Sequence, residues 1–229
     1  MRRRTVRHFT LLELIVVMGI LVLLSSVAIP AYSALFSGRK TTLAANKLNA
    51  AVMEARAYAV SNKVYTALVF LKENVSANSS EEGYVRFRLA ELYHNPENSS
   101  KSYIWSRWAN GSDYVLLPDN TMIPAKTDYF GRASKLNEDA TKPTDSLVDV
   151  DFSHMSSKDI PDGMSSTDAK SIIFRPNGQL ASQERNVIVK FVETNKYENN
   201  PSAAVALPLR IHWLTGKTKF LTPSSKSSD

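Results

Sequence analysis

Apolar and polar positions change their period twice along this chain. From Phe9 to Ile29 the residues are apolar almost throughout, with one carboxylate, Glu13, inside the run. At about 1.5 Å per helical residue, a run of about 20 residues spans the hydrocarbon core of a bilayer. Pro30 follows. It removes one backbone donor and is expected to bend the helix without ending it, because the helical pattern resumes. Leu43, Leu48, Ala51, Val52, Ala55, Tyr58 and Ala59 then recur at three- and four-residue steps, with Asn46, Lys47, Asn49, Glu54 and Arg56 largely between them. One helix is predicted from about Thr10 to Asn62, loosened around Ser37 and Gly38. Its first half is apolar all round, and its second half has one wet and one dry face.

Beyond Lys63 the period shortens to two. Val64–Leu71 reads as a strand, and the polar tract Lys72–Glu82 as a loop. In Tyr84–Tyr93, alternation places Tyr84, Arg86 and Arg88 on one face and Val85, Phe87 and Leu89 on the other. Tyr103–Trp108 is a further short strand, and 114–117 and 121–123 are weaker candidates. Residues 130–163 are polar and aperiodic, an excursion of the kind that is either functional or mobile. Ser171–Arg175 breaks at Pro176-Asn177-Gly178, a hairpin-type turn signal that pairs this strand with Val187–Val192. Leu209–Leu214 and Lys217–Leu221 form a last hairpin around Thr215-Gly216. One helix followed by many strands predicts an α+β fold: a long N-terminal helix, membrane-spanning in its first half and amphipathic in its second, packed on an antiparallel β-sheet or sandwich.

Charge refines the reading of the N-terminus. The net charge is +6, but Arg2, Arg3, Arg4 and Arg7 all precede the apolar run. The other 24 basic residues nearly balance 22 acidic ones. The basic excess thus reads as positive-inside patterning more than as a nucleic-acid footprint, with the N-terminus cytoplasmic and the bulk exported. A cleavable secretory signal would have a shorter apolar run and a small-residue cleavage site. A plain signal anchor tolerates Glu13 without requiring it. The chain has no cysteine, which excludes disulfides, thiol catalysis and Cys-based zinc sites.

Phe9-Thr10-Leu11-Leu12-Glu13-Leu14-Ile15-Val16-Val17, after a basic leader and before Pro30, resembles the class III signal of type IV pilins and type II secretion pseudopilins. The resemblance implies cleavage between His8 and Phe9 by a prepilin peptidase and methylation of Phe9. It also implies an assembly role for Glu13 and a helix kink at Pro30. His8 departs from the pattern, which has glycine before the cut; an imidazole crowds a site built for close backbone approach. No Lys or Arg follows Glu13 until Arg39. On a cleaved chain the Phe9 α-amino group, of the same or a neighbouring subunit, is then the expected counter-charge. Asn46–Ala59, Ile172–Gly178 and Ile211–Thr218 are similar to segments of GspH/FimT-type minor pseudopilins.

No catalytic constellation is found. His8, His94, His154 and His212 include no metal-ligand pair on one helix. Asp149, Asp151 and His154 read as a solvated loop. There is no phosphate-binding glycine loop and no nucleophile elbow. The expected organisation is a leader at 1–8, a transmembrane half-helix at 9–31, an amphipathic half-helix at 32–63 and an exported, β-rich domain at 64–229. The expected protein is a non-enzymatic, cofactor-free, single-pass inner-membrane subunit of a pseudopilus or pilus-like filament that supports secretion. Its expected partners are other pseudopilins, an inner-membrane assembly platform, the prepilin peptidase and the membrane. One alternative is a DNA-binding minor pilin using Lys217 and Lys219, where some relatives carry a Gly-Arg-x-Arg motif and this chain has lysines without the bidentate fork. Nucleic acid is not the expected partner. A membrane-anchored periplasmic binding domain that never polymerises is the other alternative.

Overall fold

The computed structural model describes residues 11–74, 82–97, 102–133, 143–161, 164–201 and 204–221, without the side chains of 27–38, 74 and 164–168. Helix α1 spans Leu11–Asn62 and α2 spans Thr194–Asn199. The strands are β1 Tyr65–Asn74, β2 Glu82–Tyr84, β3 Arg86–His94, β4 Tyr103–Trp108, β5 Val115–Leu116 and β6 Thr121–Pro124. They continue with β7 Phe130–Arg132, β8 Val150–Asp151, β9 Met164–Phe174, β10 Val187–Glu193, β11 Leu207–Ile211 and β12 Thr218–Phe220. The chain divides into two compact units, Met1–Arg39 and Lys40–Asp229.

The second unit is built on a 12-stranded sheet whose main path runs β12-β11-β10-β6-β2-β1-β3-β4-β8. Strand β1 is its centre. It pairs with β3 on one side and with β9, from Thr66 opposite Phe174 onward, on the other. Both faces of β1 are covered. Leu68 and Phe70 face the cluster that contains the buried side of α1. Ala67, Val69 and Leu71 face a second cluster with Leu92, Trp105 and Ile173. This accounts for an unbroken apolar run where a half-exposed strand would alternate.

The expected fold class is corrected by this sheet. The dominant element is a large mixed sheet of 12 strands, not a long helix on an antiparallel sheet or sandwich. Its mixed character comes from the parallel pairing of β4 with β8. A period-two pattern reveals neither strand direction nor a two-residue strand, so this was hidden in the sequence. The expected membrane span and single-pass location are corrected too: among the described residues, no helix is long and apolar enough to cross a membrane.

Three local expectations also change. Strand β10 pairs with β6, β7 and β11, not with β9. Tyr84 lies on β2 and is buried against Phe70 and Phe130, with ring centroids 6.3 and 5.8 Å away. The 130–163 excursion supplies β7 and β8 and covers the second face, where Val148, Val150, Phe152, Met155 and Ile160 pack. A single turn at Ser157–Asp159 fixes its end through a capping box between Ser156 and Asp159. The Asp159 carbonyl accepts bonds from Trp108 Nε1 and the Tyr114 hydroxyl, both at 3.2 Å.

Candidate functional site

The helical residues of the two units differ in burial. From 40 to 62, the small and apolar residues Ala44, Ala45, Leu48, Ala51, Val52, Ala55 and Ala59 form a buried stripe. Alanine has no side chain beyond Cβ, so this face lies close against the sheet. Polar contacts fix its register. The Thr66 hydroxyl donates to the Ala55 carbonyl at 3.0 Å, Lys47 Nζ to the Leu116 carbonyl at 2.9 Å, and the Thr218 hydroxyl to Asn49 Oδ1 at 2.6 Å.

Arg56 has a particular place in this contact. Its Nε donates to the Gly178 carbonyl at 3.1 Å. Gly178 and Gly216 have φ of +82° and +63°, and a Cβ on either would lie 3.1 Å from an Arg56 side-chain atom. Two turns from distant parts of the chain, Pro176-Asn177-Gly178 and Thr215-Gly216, thus close on one helix side chain. Only glycine combines that conformation with that approach at low cost. The C-terminal segments that carry the family resemblance are where the sheet grips the helix.

Tyr58 is the other polar link. Its hydroxyl donates to Glu91 Oε1 at 2.6 Å, while Arg107 Nε and Nη2 reach Glu91 Oε2 at 2.9 and 2.8 Å. The hydrogen bond to Glu91 raises the Tyr58 pKa above its ordinary value, and burial raises those of Tyr103, Tyr114 and Tyr129. A folded pKa above the unfolded value of about 10 gives stability that is complete below pH 10 and lost as pH climbs through the folded pKa. The urea midpoint is expected to fall between pH 10 and the folded pKa, and to fall less steeply in Tyr58→Phe. Equal slopes in the two proteins would contradict this assignment.

In the first unit, the large apolar side chains from Leu11 to Leu24 are all exposed, from 77% at Leu11 to 50% at Val17. Glu13 is exposed among them on the first described turn of α1. Residues 11–62 are helical throughout, including Pro30, Ser37 and Gly38. The Pro30 ring is outside the described residues, as are His8, Phe9 and Thr10. Lys217 and Lys219 are exposed on either side of Thr218, which points to Asn49. Lys219 lies across from Arg210 on β11. His212 is in the turn after β11, not in a strand, and stacks on Trp213 with ring planes 18° apart. Among the described residues, no group of three or more His, Asp or Glu side chains is placed to hold a metal ion.

No family model matches the sequence, and no curated protein matches it. Among solved structures, the chain is similar to the minor pseudopilin EpsH from the Type 2 Secretion System of Vibrio cholerae, with a TM-score of 0.40 and 9% identity over 82% of this chain and 99% of that one.

Proposed function

We propose that this chain is a non-enzymatic structural subunit of a pseudopilus or pilin-like filament, which assembles through its N-terminal helix and supports protein secretion. The observation that carries the reading is the division of α1. The Ala-rich stripe from Ala44 to Ala59 is buried by the chain's own sheet, while the large apolar side chains from Leu11 to Leu24 stay exposed. A contiguous exposed apolar surface is a surface for association. The pilin-like signal around Phe9 and Glu13 supports the same reading. Cleavage between His8 and Phe9, methylation of Phe9, and contact with other pseudopilins and their assembly machinery belong to it.

Glu13 interrupts the apolar surface with a single charge, which sets the axial level at which a neighbouring helix can dock. The expected result for Glu13→Ala is a folded protein that co-purifies with the filament's other subunits several-fold less well and supports less secretion. Wild-type co-purification together with unchanged secretion would overturn the assembly role.

A further inference from the structure

A groove of about 310 Å³ opens on the second unit, lined by Arg175, Gln179, Leu180, Gln183, Glu184 and Trp213. That volume is at the lower end of small-ligand sites. We propose that it binds a neutral saccharide, one or two pyranose rings of a larger glycan.

The lining decides the ligand class. One cation, Arg175, and one carboxylate, Glu184, balance each other, so the groove selects neither a strongly anionic nor a strongly cationic ligand. Four of the six side chains end in planar polar groups that hydrogen-bond through two atoms at once, a geometry that matches pairs of adjacent hydroxyls. The Gln183 carboxamide oxygen is held by Arg132 Nη1 at 2.7 Å, which turns its two N–H donors to other partners. The half-buried indole of Trp213 supplies the apolar surface that the C–H face of a sugar ring covers.

The groove is also held in shape before any ligand arrives. The Trp213 backbone N–H donates to Asn186 Oδ1 at 3.1 Å, and its backbone carbonyl accepts from the Leu180 backbone N–H at 2.8 Å. His212 stacks on the indole. Gln183 and Glu184 both sit in the left-handed region, at φ 55° and 61°, with no glycine to make that easy. Backbone held in this way occurs at ligand clamps, where the surrounding structure fixes it. Here the Arg132 bond to Gln183 and the Arg185–Asp145 ion pair flank the two residues.

The test is titration of the full chain with cellotetraose, chitotetraose and maltotetraose, read by tryptophan fluorescence and by the indole N–H signals in NMR. The expected result is saturable binding of at least one at millimolar concentration or tighter. Trp213→Ala should weaken it roughly tenfold or more. Glu184→Ala, at an exposed position that does not threaten folding, should weaken it several-fold. Absence of saturable binding to all three sugars overturns the proposal, as does binding that Glu184→Ala and Trp213→Ala leave unchanged. Binding of hexaglutamate that Arg175→Ala abolishes, with no sugar bound, also overturns it and reassigns the groove to a carboxylate.

Discussion

Phe70→Ala is expected to lower the unfolding free energy by about 3–5 kcal/mol. Phe70 is fully buried in the central strand β1, with the rings of Phe87 and Phe130 at 5.3 and 4.8 Å and that of Tyr84 at 6.3 Å. Those rings come from β3, β7 and β2, so the side chain joins parts of the sheet that no single turn connects. Truncation leaves a cavity whose walls are backbone-paired strands and cannot collapse to fill it. A domain of this size has about 5–15 kcal/mol in hand, so the variant would be folded but close to its limit. Urea unfolding followed by far-UV circular dichroism measures the loss. Tyr93→Ala, 63% exposed on β3, is the control and should change stability by less than about 0.5 kcal/mol. A Phe70 loss below about 1.5 kcal/mol would mean that the aromatic cluster relaxes around the gap.

Leu48→Asp is expected to cost about 4 kcal/mol or more at neutral pH, by removing a fully buried side chain and placing a carboxylate against the sheet. The effect should concentrate on the residues of α1 that face the sheet. Amide exchange across 43–62 should approach the rate of free helix while the strand amides of β1 and β9 remain protected. The penalty depends on pH in a defined direction. Burial raises the folded pKa of the new carboxyl above its unfolded value of about 3.9. The variant therefore keeps most stability below that pH and loses it as pH rises through the folded pKa. Leu48→Asn carries no titrating group, and its destabilisation should not change over the same range. Equal pH profiles for the two variants would show that the helix leaves the sheet before the carboxyl is ever buried.

These effects locate what sequence pattern reveals. The helical stripe was legible because Leu48, Val52, Ala55 and Ala59 repeat at the helical period and all are buried. Strands β1 and β4 were legible because they carry β-branched and aromatic residues in short, bounded runs. Strands β7 and β8 were not, because two or three residues have no measurable period and each pairs with a strand far away in sequence. Pro176-Asn177-Gly178 was legible as a turn, but its purpose was not. Instead of joining β9 to β10, it carries Gly178 to Arg56, and β9 goes to β1. The groove around Trp213 left no trace in the sequence. Gln183 and Glu184 adopt a conformation that turn composition assigns to Gly, Asn or Asp. The division of α1 into buried and exposed parts was readable only in outline, since all-round apolarity does not say what covers a helix.

The position of β1 also governs the order in which the chain can fold. Its partner β3 follows it closely, so a β1–β3 hairpin can form as soon as residue 94 is made. Its other partner, β9, ends at Phe174, and until that segment is synthesised the second edge of β1 stays open. Closing so long a loop is slow, and an apolar strand with an unpaired edge is a template for wrong pairing. During synthesis at about 5–20 residues per second, that edge is unprotected for several seconds. The nascent β1–β3 hairpin is therefore the species on which a ribosome-associated or export chaperone has most to gain by binding.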